Sequence, residues 1–176
     1  MQNVLTESCL FVCFQFQQGI PRRTSQTFLM TAANHQQVSL QVTEISASHP
    51  TWWQTDVLIL CFPVNRPETL HHIQDNIKPL LLTYYKHKPI VLVGTKVDLM
   101  HDPNYRENMA YRDIHPIAVV QAKALADEIH AVDYIECSAK TDEGLNELFA
   151  KVTELALIAE TSKTEPEKSS NCCNIL

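Results

Sequence analysis

The segment Pro89-Ile90-Val91-Leu92-Val93-Gly94-Thr95-Lys96-Val97-Asp98 passes directly from a continuous apolar run into a polar turn. Four apolar, mostly β-branched residues lead into Gly94, and Thr95, Lys96 and Asp98 follow at once. A run without polar alternation reads as a strand buried on both faces, and open α/β sheets bind their ligands at the carboxyl ends of such strands. An Asp two residues after a Lys offers a carboxylate to paired N–H donors, such as those of guanine, with the lysine stem lying along the ring. A strand that simply ends in a polar turn would look the same over these residues.

Composition bounds the remaining possibilities. With 176 residues, 45% of them apolar and 19% charged, the chain is expected to form one domain with an ordinary core. A net charge of −6 and no lysine or arginine cluster leave no electrostatic footprint for nucleic acid. The cysteines, at 9, 13, 61, 137, 172 and 173, lack metal-ligand spacing; Cys61 and Cys137 lie in apolar runs and read as reduced core residues of a cytosolic protein. No apolar run approaches the ~18 residues of a membrane span, and no secretory signal is expected.

Taken in order, Leu10–Phe16 suits a strand by propensity, while Leu5, Cys9, Val12 and Phe16 also fall at helical spacing. Thr27–Thr31 and Val38–Ile45 read as a hairpin around Ala33-Asn34-His35-Gln36, with Val38, Leu40 and Val42 alternating as in a half-buried strand. Val57–Phe62 is a second continuous apolar strand. Pro67 suits the first turn of a helix reaching about Tyr85, with a kink expected at Pro79. After the polar segment Met100–Asp113, a helix is expected from Pro116, with Ile117, Val120, Ala124 and Leu125 on its core face. Tyr134–Cys137 is a short strand, and a last helix is predicted from Asp142 to about Glu160, striped by Leu145, Leu148, Phe149, Val152, Leu155 and Ala156. This alternation predicts an α/β fold: a mostly parallel sheet with helices on both faces.

Two strand ends thus send polar loops to one rim: Thr95-Lys96-Val97-Asp98 and Cys137-Ser138-Ala139-Lys140. In this pairing the sequence resembles the Ras-like small GTPases, the Rho branch in particular. Val93–Leu99 resembles that family's guanine-specificity loop, and Glu136-Cys137-Ser138-Ala139-Lys140-Thr141 its second base-contacting loop. Met100–Asp113 matches the place and polarity of the helical insert of Rho proteins. The resemblance covers roughly residues 55–176 and implies a Ras-like P-loop NTPase fold over residues 1–160, with 1–55 divergent and 161–176 a flexible tail. It makes Asp98 the acceptor for the guanine ring N–H and amino group, lets the Lys96 and Lys140 stems flank the base, and brings the Ala139 N–H to the guanine carbonyl. Thr95 and Ser138 complete the loops, although their hydroxyls could equally serve to tie strand ends together. GTP or GDP is the implied ligand, Rho-type effectors and regulators the implied partners, and a monomer is expected.

The amino-terminal part departs from that pattern. Phosphate binding in the family needs G-x-x-x-x-G-K-[ST], whose backbone N–H groups and lysine cradle the phosphates while the hydroxyl holds Mg²⁺. The chain has only three glycines and no such stretch. Thr6-Glu7-Ser8-Cys9-Leu10 resembles the end of the motif and the start of its helix, with Glu7 where a lysine or its neighbour belongs, and the helical reading is preferred; the middle strand of the family's sheet would then be missing. The alternative makes Leu10–Phe16 that strand, with no phosphate loop after it. Thr43–Ser48 holds neither the Asp-x-x-Gly nor the water-orienting Gln of the second switch. Gly19-Ile20-Pro21 with Thr24 or Thr27 is a partial match to the first switch and reads rather as a solvated turn. Hydrolysis of GTP is therefore not expected, no catalytic residue is assigned, and Mg²⁺ lacks its ligands. A nucleotide-independent pseudo-GTPase is the alternative.

His71, His72, His101 and His115 show no metal-ligand spacing, and no metal is expected. Cys173-Asn174-Ile175-Leu176 fits a Cys-a-a-X motif with terminal Leu, which predicts geranylgeranylation of Cys173 and leaves Cys172 for a second acyl chain. Lys163 and Lys168 are offset by Glu160, Glu165 and Glu167, so one lipid would anchor only marginally. The expected location is the cytoplasm and the cytoplasmic face of membranes.

Overall fold

A computed structural model describes residues 10–16, 25–45 and 55–164. The described strands form one sheet in the order β2-β3-β1-β4-β5-β6: β1 (Leu10–Phe16), β2 (Ser25–Thr31), β3 (Gln37–Ile45), β4 (Val57–Pro63), β5 (Ile90–Thr95) and β6 (Asp133–Cys137). The run β4-β5-β6 is parallel, whereas β2/β3, β1/β3 and β1/β4 are antiparallel.

The two continuous apolar strands are buried at every position because both of their faces are covered. Period-two alternation divides them between two cores. Leu58, Leu60, Phe62, Ile90 and Leu92 pack against α1 (Pro67–His72), α2 (Lys78–Tyr84) and α5 (Val119–Glu128). Val57, Ile59, Cys61, Val91 and Val93 meet α6 (Leu145–Thr164) on the opposite face, where Val38, Leu40 and Val42 of β3 join them. Phe28 of β2 sets its ring 6.0 Å from that of Phe149, so α6 also closes over the hairpin. The expected turn is present: the Asn34 carboxamide oxygen accepts from the Gln36 N–H at 3.0 Å, and His35 takes a left-handed φ of 64°.

Several expectations are corrected. The helical reading around Leu10 fails, since Leu10–Phe16 is a strand occupying the middle of the sheet. It runs opposite to β4, with Leu10 beside Cys61 and Phe14 beside Val57. Propensity favoured a strand, and pairing on both edges supplies the hydrogen bonds that an isolated helical turn lacks. The helix passes through a π turn at Ile73–Ile77 between α1 and α2, just ahead of Pro79, a widening that accommodates the missing proline N–H. The helix expected from Pro116 begins at Val119, because the Ile117 N–H is drawn to the Val64 carbonyl and the Gln121 side chain caps the Ala118 N–H. Its buried face is consequently Ala122, Leu125 and Ala126, and Val120 is 78% exposed. The last helix starts at Leu145 rather than Asp142, since Asp142 and Gly144 take left-handed φ values of 62° and 70°. The polar insert is helical, as α3 (Asp98–His101) and α4 (Pro103–Tyr111).

Tyr134 of β6 stacks on Phe62 with ring centroids 6.2 Å apart, and its hydroxyl donates to Glu136 Oε1 at 2.8 Å. A Cβ on Gly94 would lie 2.5 Å from that hydroxyl, so the glycine makes room for the ring. Burial, reinforced by the Glu136 carboxylate, raises the Tyr134 phenol above its ordinary value.

Burial likewise pushes the Cys137 thiol from an ordinary 9.0 up to about 11. The folded state thus favours the neutral thiol, a contribution complete below pH 9 and lost as pH rises through 11. Between pH 8 and 11 the native chain should lose about 2 kcal/mol more stability than Cys137→Ala does, measured by urea unfolding at each pH. Identical pH dependence in the two proteins would show that the thiol is not desolvated.

Candidate functional site

Parallel pairing of β5 with β6 places Thr95 opposite Cys137, so the two polar loops leave the sheet side by side. Lys96 takes a left-handed φ of 65°, unusual for a residue with a Cβ, and the turn it makes buries Val97 while bringing Asp98 back to the rim. The Val97 N–H reaches the Cys137 carbonyl at 3.4 Å, and the Ser138 N–H is taken by the Glu143 carbonyl at 2.9 Å, closing the second loop. Gly144 finishes that loop. A Cβ there would lie 2.0 Å from the Glu136 carbonyl oxygen, and its φ of 70° suits glycine.

Ser138, fully buried, joins the loops. Its hydroxyl donates to Asp98 Oδ1 at 2.7 Å and accepts from the Lys140 and Thr141 N–H groups at 3.2 and 3.3 Å. Asp98 is thereby held in one orientation with its side chain only 11% exposed, and Oδ2 has Lys140 Nζ at 3.8 Å. Lys140 is 79% exposed, so that ion pair adds little by itself. The carboxylate keeps acceptor capacity for two parallel N–H donors. Lys96 and Ala139 are half-buried beside it. Thr95 is buried and its hydroxyl donates to the Phe62 carbonyl at 3.2 Å, which ties the ends of β4 and β5.

Residues 41–157 match the Ras family. The chain belongs to the Ras family. It is 35% identical over 117 residues to the GTP-binding protein Rho1 of Kluyveromyces lactis, covering 66% of this chain and 56% of that protein. It is 36% identical over 122 residues to the Rho-related GTP-binding protein RhoB of Homo sapiens, covering 69% and 61%. It is thus a divergent, Rho-like member, and it spans about 56–61% of the length of these relatives.

The family implies GTP or GDP with Mg²⁺, and the rim fits them unequally. Asp98 offers an oriented acceptor carboxylate of the kind that a guanine base would require. Among the described residues the phosphate side does not fit. A phosphate loop follows the carboxyl end of a strand and opens a helix, but the strand filling the middle of this sheet presents its amino end, Leu10, at the rim of the base loops. Phe16, from which such a loop would depart, lies at the opposite rim. The match to the family begins at residue 41, beyond β1 and β2.

Other sequence-predicted positions fall elsewhere. Gly19–Thr24, Ser46–Gln54, Cys172 and Cys173 lie outside the described residues, and Thr27 is an exposed residue of the edge strand β2. Among the described residues no group of three His, Cys, Asp or Glu side chains is placed to hold a metal ion, and no helix is long and apolar enough to cross a membrane. A groove of about 630 Å³ between the β2–β3 turn and α6 is lined in part by Ala32, Ile135 and Leu157, with Lys151 held by Asp133 at 3.5 Å and Glu154 at 3.9 Å. It lies at the rim away from Asp98.

Sequence reasoning missed two connections. Asp102 caps α4 by accepting from the Asn104 and Tyr105 N–H groups at 2.9 and 3.3 Å, a start that Asp102-Pro103 signals. Asn65 Nδ2 then donates to the Tyr105 hydroxyl at 2.6 Å, pinning the insert to the end of β4, and this has no local signal. Ser138→Ala, which leaves the loop amides and Asp98 without their common partner, should destabilise the fold by about 2 kcal/mol in urea unfolding. A loss under about 0.5 kcal/mol would show that the bridge is not holding the loops.

Proposed function

We propose that this chain is a Rho-like signalling module that recognises guanine and does not hydrolyse GTP. The observation that carries the base assignment is the Ser138–Asp98 hydrogen bond, which holds an acceptor carboxylate at the junction of the two loops. In this assignment Asp98 accepts from the guanine ring N–H and amino group, the Lys96 and Lys140 stems cover the ring faces, and the Ala139 N–H donates to the carbonyl. Thr95 and Ser138 build the loops. Adenine presents no such donor pair and would leave Asp98 poorly matched, a difference of ~1–3 kcal/mol. GTP or GDP is the ligand that the family suggests, and hydrolysis has no residue assigned to orient water.

The full chain should bind guanosine at least about tenfold more tightly than adenosine in a chemical-shift titration, and Asp98→Ala should erase the difference. Equal affinity for the two nucleosides would overturn the base assignment. The rival is a partner-binding module that takes no nucleotide; the reversed central strand favours it, and it predicts no shift with either nucleoside.

Rho-type effectors and regulators are the proposed partners. In a chain that ends at Leu176, prenylation of Cys173, with Cys172 as a second acyl site, supports attachment to the cytoplasmic face of membranes. Cys173→Ser should move the protein from the membrane pellet to the supernatant on cell fractionation. Persistence in the pellet would mean another anchor.

A further inference from the structure

We infer that the ligand of this rim is the guanine base or its nucleoside, recognised without its phosphates and without Mg²⁺. The inference rests on the base assignment above and adds what lies beside it. In the family's arrangement the phosphates extend from the base toward the middle strand, where backbone N–H groups leaving that strand and opening a helix receive them. Here the middle position is filled by β1 in the opposite direction, hydrogen-bonded to both β3 and β4. The slot is thus closed to a second strand of the usual direction. The chain reaches the rim at Leu10 entering β1 rather than leaving it.

Among the described residues, the backbone N–H groups of Val64 and Arg66 beside the rim are already engaged. At the end of β4 the Val64 N–H is taken by the Thr95 carbonyl at 3.0 Å, Pro63 has no N–H, and the Arg66 N–H is taken by the Pro63 carbonyl at 3.1 Å. The nine residues before Leu10, Met-Gln-Asn-Val-Leu-Thr-Glu-Ser-Cys, contain no glycine, lysine or arginine and include Glu7. A net charge of −6 gives the chain no general attraction for added phosphates. The contacts that hold Asp98 run through Ser138 and Lys140 at the ends of β5 and β6, which are separated from the reversed strand by β4.

The test is a chemical-shift titration of the isotope-labelled full chain with guanosine, GMP, GDP, GTP and adenosine, with and without Mg²⁺ and at two salt concentrations. Guanosine, GMP, GDP and GTP should bind within about threefold of one another, flat or weakening as phosphates are added, with no Mg²⁺ requirement and at least tenfold above adenosine. Tightening of more than tenfold from guanosine to GDP or GTP, or a Mg²⁺ requirement, would overturn the inference and leave the base assignment standing. Guanosine and adenosine binding alike, or neither binding, would remove the base assignment and the inference with it.

Discussion

The Ser138 hydroxyl reaches the Asp98 carboxylate because β5 and β6 are parallel and end level with each other. Everything specific about the rim depends on that constraint. Parallel neighbours require crossovers, the crossovers bring helices onto the faces, and the faces are apolar because both are covered. The same residues that make Leu58, Leu60, Val91 and Val93 inaccessible to water therefore set two polar loops side by side. Asp98 is neither deeply buried nor free, and its hydrogen bond from Ser138 fixes the orientation of the carboxylate.

The other half of the sheet obeys a different constraint. A six-stranded sheet with an empty middle position would leave two rows of backbone groups without partners, and β1 fills that position with hydrogen bonds on both edges. Either strand direction satisfies the backbone, but only one sends the chain leaving the strand to the rim of Asp98. The chain meets the requirement of the sheet with the direction that does not. The parallel half thus carries the two polar loops and one core, while β3 of the antiparallel half shares the second core beneath α6.

Much of this was legible locally. The continuous runs at Val57 and Ile90 marked strands covered on both faces, the turn at Ala33–Gln36 marked the hairpin, and the stripe from Leu145 to Ala156 marked the helix that covers one core. The two polar loops could be placed because each follows an apolar strand, whereas the roles of Lys96, Asp98, Ala139 and Lys140 were what the family resemblance implied. Less legible were the helix boundaries at Val119 and Leu145. They depend on a hydrogen bond from Ile117 to Val64 and on a glycine seated against the Glu136 carbonyl, contacts between segments distant in sequence or shaped by tertiary approach.

By itself the sequence determined the continuous apolar strands at Val57 and Ile90, the alternating strand at Val38, and that residues 1–176 hold no glycine-rich phosphate-loop motif, but not that Leu10–Phe16 is a strand. The tertiary structure alone decided that Thr95 is spent on Phe62, that Ser138 holds Asp98, and that β1 lies reversed between β3 and β4. The reason is physical: side-chain alternation has the same period whichever way a strand runs, so direction and partner are properties of the hydrogen-bonded sheet and not of the segment.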